Sequence, residues 1–205
     1  MNRQALLDAG ARVFSRSGFQ AANVREICRE AGLNIGAIHQ HFGSKDGLYR
    51  EVILGAGRSL VAQEPCARLE DFETPEQALR GWMQYHLTLV LLRRAADPVA
   101  GPLLMREFRN PTRAFASFVE FVIKPVRAEL LRIVGALLGS SDTPARRAAA
   151  ANLVYGLGVF QGVAAPVLEL LGQRPPARQQ DVTKLLDVLY PFALGGIRAL
   201  RTAQR

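Results

Sequence analysis

The sequence predicts an all-α protein. Almost no segment alternates apolar and polar residues with period two, and no Asn-Gly or Asp-Gly pair joins two alternating runs as a hairpin turn. Helix-capping residues recur along the chain instead, at Asn23, Asn34, Ser44, Thr74 and Thr143, each followed by a run of helical periodicity.

Residues 2–16 place Ala5, Leu6, Ala9, Val13 and Phe14 on one stripe, and Gly18 closes the pattern as a glycine just past a helix end does. Asn23 with Glu26 three positions on opens a short helix that stops at Gly32. Asn34 caps a second short helix reaching Phe42, and Ser44 caps a longer third one beginning at Lys45. A loop with Pro65 and a cluster of acids follows at residues 64–73. Thr74-Pro75-Glu76-Gln77 then combines a capping hydroxyl, proline at the first helical position and a reciprocal Gln, for a helix to about Arg94. Asp97-Pro98, Asn110-Pro111 and Thr143-Pro144 repeat the cap-then-proline signal. Pro125 is expected to break or kink the stretch 111–138, because it lacks an N–H and crowds the preceding turn. One helix, uncharged over 148–168, is expected over 144–171. A polar linker at 172–180 leads to a last helix ending near Arg201.

The chain has 205 residues, of which 49% are hydrophobic and 21% charged, enough to bury a core and unlike a disordered segment. Basic residues number 26 against 18 acidic ones, a formal charge of +8, and 23 of the 26 are arginine. Guanidinium is a flat fork of donors that keeps its charge when partly buried, so partners bearing phosphate or carboxylate are favoured; a GC-rich genome raises arginine as well. Two cysteines, Cys28 and Cys66, are too few for a disulfide framework or a structural zinc site. Arg3, Asp8, Arg12 and Arg16 interrupt any leader-like apolar run.

Residues 148–168 carry no charge and include the small-xxx-small pair Gly158 and Gly162. Asn152, Tyr155, Gln161 and Pro166 make the segment only weakly apolar, so a buried or interface helix is expected, with no membrane partner and a cytoplasmic location. Nothing matches a nucleophile elbow, a phosphate loop, a dinucleotide fingerprint or a metal-ligand spacing. His39-x-His41 near Cys28 does not chelate, since helical residues two apart point in different directions. No enzyme activity, catalytic residue, cofactor or metal is expected.

Residues 23–49 read NVREICREAGLNIGAIHQHFGSKDGLY. Two helices of about eight residues joined at Ala31-Gly32-Leu33 are too short to stand alone. Their apolar sides, Val24, Ile27 and Ala31 on one and Ile38 and Phe42 on the other, must hold them. Periodicity alone fits an ordinary corner of a helical bundle as well as a helix-turn-helix that exposes a recognition helix. Together, Phe14, Gly18-Phe19, Val24-Arg25-Glu26-Ile27, Ala31-Gly32-Leu33, Phe42, Ser44-Lys45, Leu48 and Tyr49 closely resemble the DNA-binding domain of TetR-type transcriptional regulators, over residues 3–50. Asn34, Phe42-Gly43-Ser44-Lys45 and Lys124-Pro125 look most like a CecR-like branch.

The resemblance implies a helix-turn-helix DNA-binding domain at 1–50 and a helical effector-binding and dimerisation domain at 51–205. It implies a sequence-specific regulator, a repressor released from a palindromic operator by a small-molecule effector. Candidate DNA contacts are Asn23, Arg25, Asn34, Ile35, Gly36, Ala37, His39, Gln40, His41, Ser44 and Lys45. Gln40 can pair bidentately with adenine and Ala37 can meet a thymine methyl. Lys45 sits unfavourably in a first helical turn, which a phosphate contact would explain. The family often has an aromatic residue where His39 or Gln40 stands, so a histidine is expected to replace a tyrosine-to-phosphate contact. An effector pocket is implied, with Trp82, Tyr85, His86, Met105, Phe108, Phe118, Phe121 and Gln161 as candidate lining. Leu153, Val154, Leu157, Gly158, Gly162, Leu185, Leu189 and Phe192 are the candidate homodimer interface, where small residues let helices approach closely. A helical ligand or lipid carrier, or a membrane-associated protein, is the alternative.

Overall fold

The computed structural model describes residues 2–202, apart from the side chain of Ser141. In chain order the helices are α1 (Asn2–Ala21), α2 (Val24–Ala31), α3 (Gly36–Phe42), α4 (Lys45–Ala62), α5 (Pro75–Thr88), α6 (Arg94–Ala96), α7 (Ala100–Arg109), α8 (Arg113–Phe118), α9 (Lys124–Leu138), α10 (Pro144–Val163), α11 (Ala165–Leu170) and α12 (Gln179–Thr202). Two π-helical turns, Leu89–Arg93 and Val119–Ile123, follow α5 and α8. No strand occurs among the described residues, so the fold is all-α as expected.

The predicted caps form. Asn23 accepts from the Arg25 N–H, and Gly32 ends α2 in the left-handed region at φ 68°. Ser44 Oγ accepts from the Gly47 N–H at 3.1 Å, and Thr74 and Gln77 make a reciprocal capping box. Asn34 Oδ1 accepts from the Ala37 N–H at 3.2 Å, holding the start of α3.

Four details differ from the sequence reading. Gly18 (φ 74°) kinks α1, and one further turn continues to Ala21. Asn110 terminates α7, and Thr112, whose hydroxyl accepts from Ala114 N–H, caps α8 instead. Pro125 neither breaks nor ends its helix. The π-helical turn immediately before it changes the hydrogen-bond register, where a missing N–H can be absorbed. The uncharged stretch is two helices, because Pro166 can occupy only the first turn of α11.

The chain forms two compact units. The first comprises residues 1–63 and 96–123, and the second residues 64–95 and 124–205. The first is built on Leu6, Val13, Phe14, Ile27, Ile38, Leu48, Tyr49 and Ile53, all buried, with Leu103, Leu104 and Phe118 of α7 and α8. The second packs α5, α9, α10 and α12 around Leu79, Trp82, Leu130, Ile133, Val134, Ala151, Val154 and Leu186. Of the three places where the chain passes between the units, Gln63–Glu64 lies just past the end of α4, while Ala95–Ala96 and Ile123–Lys124 each follow closely on a π-helical turn.

Candidate nucleic-acid interface and effector region

Two ion-pair sets fix the angle of α2 against α1. Arg16 pairs with Glu26 at 3.1 Å and Glu30 at 2.6 Å, and Arg12 pairs with Glu30 at 3.2 Å. The Arg16 guanidinium beside Glu30 holds that carboxyl below the usual carboxylate range. Committing both glutamates to α1 leaves Arg25 and Arg29, one turn apart on the other side of α2, exposed and without an acidic partner among the described residues. Arg29 was absent from the sequence-based candidates. Its i,i+4 spacing to Arg25, parallel to Glu26 and Glu30, is the signal that points to it.

The helix α3 turns only Ile38 fully inward, 1% exposed, and half-buries Ala37 and Phe42. Asn34, Ile35, Gly36, His39, Gln40 and His41 are exposed, as are Asn23, Arg25 and Ser44, while Lys45 is half-buried. The candidate contacts therefore share one open edge of the first unit. Beyond the caps made by Asn23, Asn34 and Ser44, three more of them have intramolecular roles. His39 Nδ1 donates to the Gly43 carbonyl at 3.0 Å, which leaves its Nε2 as an acceptor in the neutral ring, so His41 is the histidine with both nitrogens uncommitted. Lys45 Nζ donates to the Gln20 carbonyl at 3.3 Å and lies 4.9 Å over the Phe19 ring, tying α4 to the end of α1. At Gly36 the missing side chain leaves room for Asn34 Oδ1.

Gly47 is sterically required. A Cβ there would land on the Phe42 carbonyl oxygen, a backbone atom that cannot swing aside. Gly47→Ala is expected to destabilise the α3–α4 turn by about 1–3 kcal/mol, read by thermal denaturation. An unchanged melting temperature would show that the turn is not constrained in this way.

Beneath this edge, Tyr49 packs edge-on to Phe14 at 4.7 Å and against Phe19 at 4.9 Å, and its hydroxyl donates to Glu107 at 2.7 Å. Glu107 is 1% exposed and also accepts from the Thr112 N–H at 3.0 Å and hydroxyl at 3.1 Å. One buried carboxylate thus joins α4, α7 and the start of α8. At Gly57 of α4 the Phe118 ring occupies the space a side chain would need. A cleft of about 1090 Å3 lies in the same unit, bounded by Phe42, Ser44, Tyr49 and Arg50 on one side and residues 110–113 on the other.

The candidate effector residues fall in both units. Met105, Phe108, Phe118 and Phe121 belong to the first, where Phe108, Phe115 and Phe118 form a ring cluster with centroids 5.3–6.3 Å apart and Phe121 is 59% exposed. Trp82, Tyr85, His86 and Gln161 belong to the second. There His86 is stacked 4.9 Å from Trp82 and lies 4.6 Å from Tyr155, with Nε2 3.3 Å from the Tyr155 carbonyl. Burial pushes the imidazole down to about 4. Gln161 lines a separate cleft of about 460 Å3 with Arg174, Arg178, Lys184 and Leu185.

Six of the eight interface candidates pack against their own chain. Val154 is 4% exposed, and Gly158 and Gly162 are covered by their own chain. His86 lies against Gly158, and Val90 and Arg94 lie against Gly162, so the ridge 86/90/94 fills the groove that the glycines open. Leu185, like Leu157 and Leu189, is partly buried on the core of the second unit. Leu153 (71% exposed) and Phe192 (72% exposed) do face outward, together with Phe160, Val163 and Val188. The exposed seam is therefore displaced around α10 from the small-residue stripe.

A short helix pair carried on α1 and α4, with an open polar and basic edge, is a helix-turn-helix head, and the class is that of DNA-binding transcriptional regulators. Residues 6–52 match the tetR family of bacterial regulatory proteins, and residues 75–197 match the C-terminal domain of the HTH-type transcriptional dual regulator CecR. The chain belongs to the TetR family, with a C-terminal domain of the CecR type.

It is 25% identical over 171 residues to the HTH-type transcriptional regulator BetI of Rhizobium meliloti, covering 82% of this chain and 81% of that one. To the HTH-type transcriptional regulator UidR of Escherichia coli K12 it is 35% identical over 52 residues, 25% of this chain and 26% of that protein. The matched stretch thus spans about a quarter of UidR. Among solved structures, AibR in complex with isovaleryl coenzyme A and operator DNA superposes with a TM-score of 0.62 at 16% identity, over 94% of this chain and 97% of that one. No helix among the described residues is long and apolar enough to cross a membrane.

Proposed function

We propose that this TetR-family regulator is a homodimeric repressor that binds a palindromic operator and releases it when a small organic effector binds. Residues 1–50 act as the reading head and residues 51–205 as the effector-binding and dimerisation part. The observation that carries the reading is the exposed edge of α3, with Asn34, Gly36, Gln40 and His41 outward while Ile38 is buried beneath them. AibR, a structural neighbour, binds an acyl coenzyme A and operator DNA, which supports the two-ligand scheme. In that scheme effector and DNA each weaken the other by the same factor.

The head supplies base contacts through Gln40 and Ala37, with Asn34, Ile35 and Gly36 at the groove. Backbone phosphates are held by Arg25, Arg29, His41, Lys45 and the N–H groups beside Asn23 and Ser44. Gln40→Ala is expected to relax preference at one base pair per half-site by about 1–3 kcal/mol in a shift assay with operator variants. Equal loss on every variant would remove Gln40 from base reading. Lys45→Ala is expected to weaken all sequences alike and make the salt dependence shallower by about one ion. An unchanged slope would assign Lys45 wholly to its contacts with Gln20 and Phe19.

Dimerisation is assigned to the outward apolar face of α10 and α12, where a second copy would complete a four-helix bundle over Leu153, Phe160 and Phe192. Leu153→Asp with Phe192→Asp is expected to give a folded monomer with weakened operator binding, measured by sedimentation and shift assay. A double variant that remains dimeric would place the interface elsewhere.

A further inference from the structure

The ridge on α5 and the following turn that fills the glycine groove of α10 contains a buried imidazole nitrogen without a hydrogen-bond partner and, further on, a half-buried guanidinium without a carboxylate beside it. His86 is fully enclosed, and its Nδ1 is buried with no partner. The tautomer follows from the other nitrogen. The Tyr155 carbonyl can only accept, so Nε2 carries the hydrogen, and the neutral ring presents Nδ1 as a bare acceptor. Such an atom calls for an O–H or N–H donor.

Two turns further along the same ridge, Arg94 lies against Gly162. It has no carboxylate among the described residues; Arg93 beside it pairs with Glu64 through Nη2 and keeps a buried Nη1 without a partner. Burial lowers the proton affinity of Arg94, and its charge in turn disfavours protonation of His86. A half-buried guanidinium without a counter-ion is costly, and that cost is relieved by an anion. The single tryptophan, Trp82, is stacked on the His86 ring and Tyr155 lies against it, supplying apolar surface beside the imidazole.

We propose that His86 and Arg94 form the recognition element of the effector site, and that the effector is a small organic acid that also carries a hydroxyl or N–H donor. Arg94 holds the carboxylate and His86 Nδ1 accepts from the donor. This rests on the ligand-responsive reading above and names the chemistry of its effector.

The test uses the full-length protein without DNA and Trp82 fluorescence as the signal, with thermal denaturation alongside. The probes are para-hydroxybenzoate and omega-hydroxyhexanoate, each beside its deoxy acid and its hydroxy amide. The hydroxy acids are expected to bind about tenfold more tightly than either relative. Arg94→Gln should abolish the preference for acid over amide, and Arg94→Lys should retain part of it. His86→Phe should abolish the preference for hydroxy over deoxy acid.

Equal binding of acid and amide, retention of the acid preference in folded Arg94→Gln, or no response to any probe would each overturn the proposal. Because binding is read on the free protein, a chain that recognises these acids but no operator would sink the repressor reading while leaving this one intact.

Discussion

Replacing Glu107 with alanine is expected to lower the stability of the first unit by about 2–5 kcal/mol, the largest effect of any single truncation proposed for it. The carboxylate is buried and accepts three hydrogen bonds, from the Tyr49 hydroxyl and from the N–H and hydroxyl of Thr112. Truncation leaves the buried Tyr49 hydroxyl, held between Phe14 and Phe19, without its acceptor. For a chain of this size the melting temperature should fall by roughly 5–15 °C.

Tyr49→Phe is the milder comparison, because it removes one donor and leaves Glu107 with two; about 1 kcal/mol is expected. Glu107→Gln keeps the volume but presents an amide N–H₂ toward at least one donor, so it should fall between the two. Burial and the neighbouring Glu107 raise the Tyr49 phenol well above its ordinary value. A raised phenol is a contribution fully present below about pH 10 and lost as pH rises further, because the unfolded chain then releases a proton that the folded chain retains. Since α4 begins at the turn below the recognition helix, Glu107→Ala should also weaken operator binding. A melting temperature within 2 °C or so of the unaltered protein would show that this node is not structural.

The second large effect is acid sensitivity from His86. Its folded value, about 4, lies below the ordinary 6.5 because burial disfavours the imidazolium. The stability it contributes is fully present above pH 6.5 and is lost as pH falls from there toward 4, where the unfolded chain binds a proton that the folded one excludes. Linkage puts the total at about 3 kcal/mol. Ordinary carboxylates titrate lower, so the interval from pH 6.5 to 5 is the part of this window in which to look for His86. His86→Phe should flatten the stability profile across that interval, at the expense of the bond to the Tyr155 carbonyl. A profile equally steep in the variant would mean that the acid lability arises elsewhere.

The head was readable from the chain because its determinants are local. Asn23, Ser44 and Thr74 sit within three residues of the N–H groups they cap, and Gly32 stands where α2 needs a left-handed residue. The exposed edge of α3 follows from a single inward isoleucine on a helix of seven residues. Such interactions span one helical turn and leave their mark in spacing. Arg12, Arg16, Glu26 and Glu30 lie on the margin, since their i,i+4 spacing was visible but the pairing between α1 and α2 was not.

Contacts between distant segments decided the remainder. Gly158 and Gly162 announce that something approaches α10 closely, but a stripe of small residues carries no information about its occupant. Packing filled it with His86, Val90 and Arg94 of the same chain and left Leu153 and Phe192 on the outer face. Pro125 announces a missing donor, and only the register of the preceding π-helical turn shows how the helix accommodates it. Glu107 reads as one more surface acid until Tyr49 and Thr112 are seen around it. Caps and turns are set within a few residues, where bonded geometry restricts the choices. The partner of a groove or a buried charge is chosen among all surfaces the folded chain can bring together, and spacing along the chain does not encode that choice.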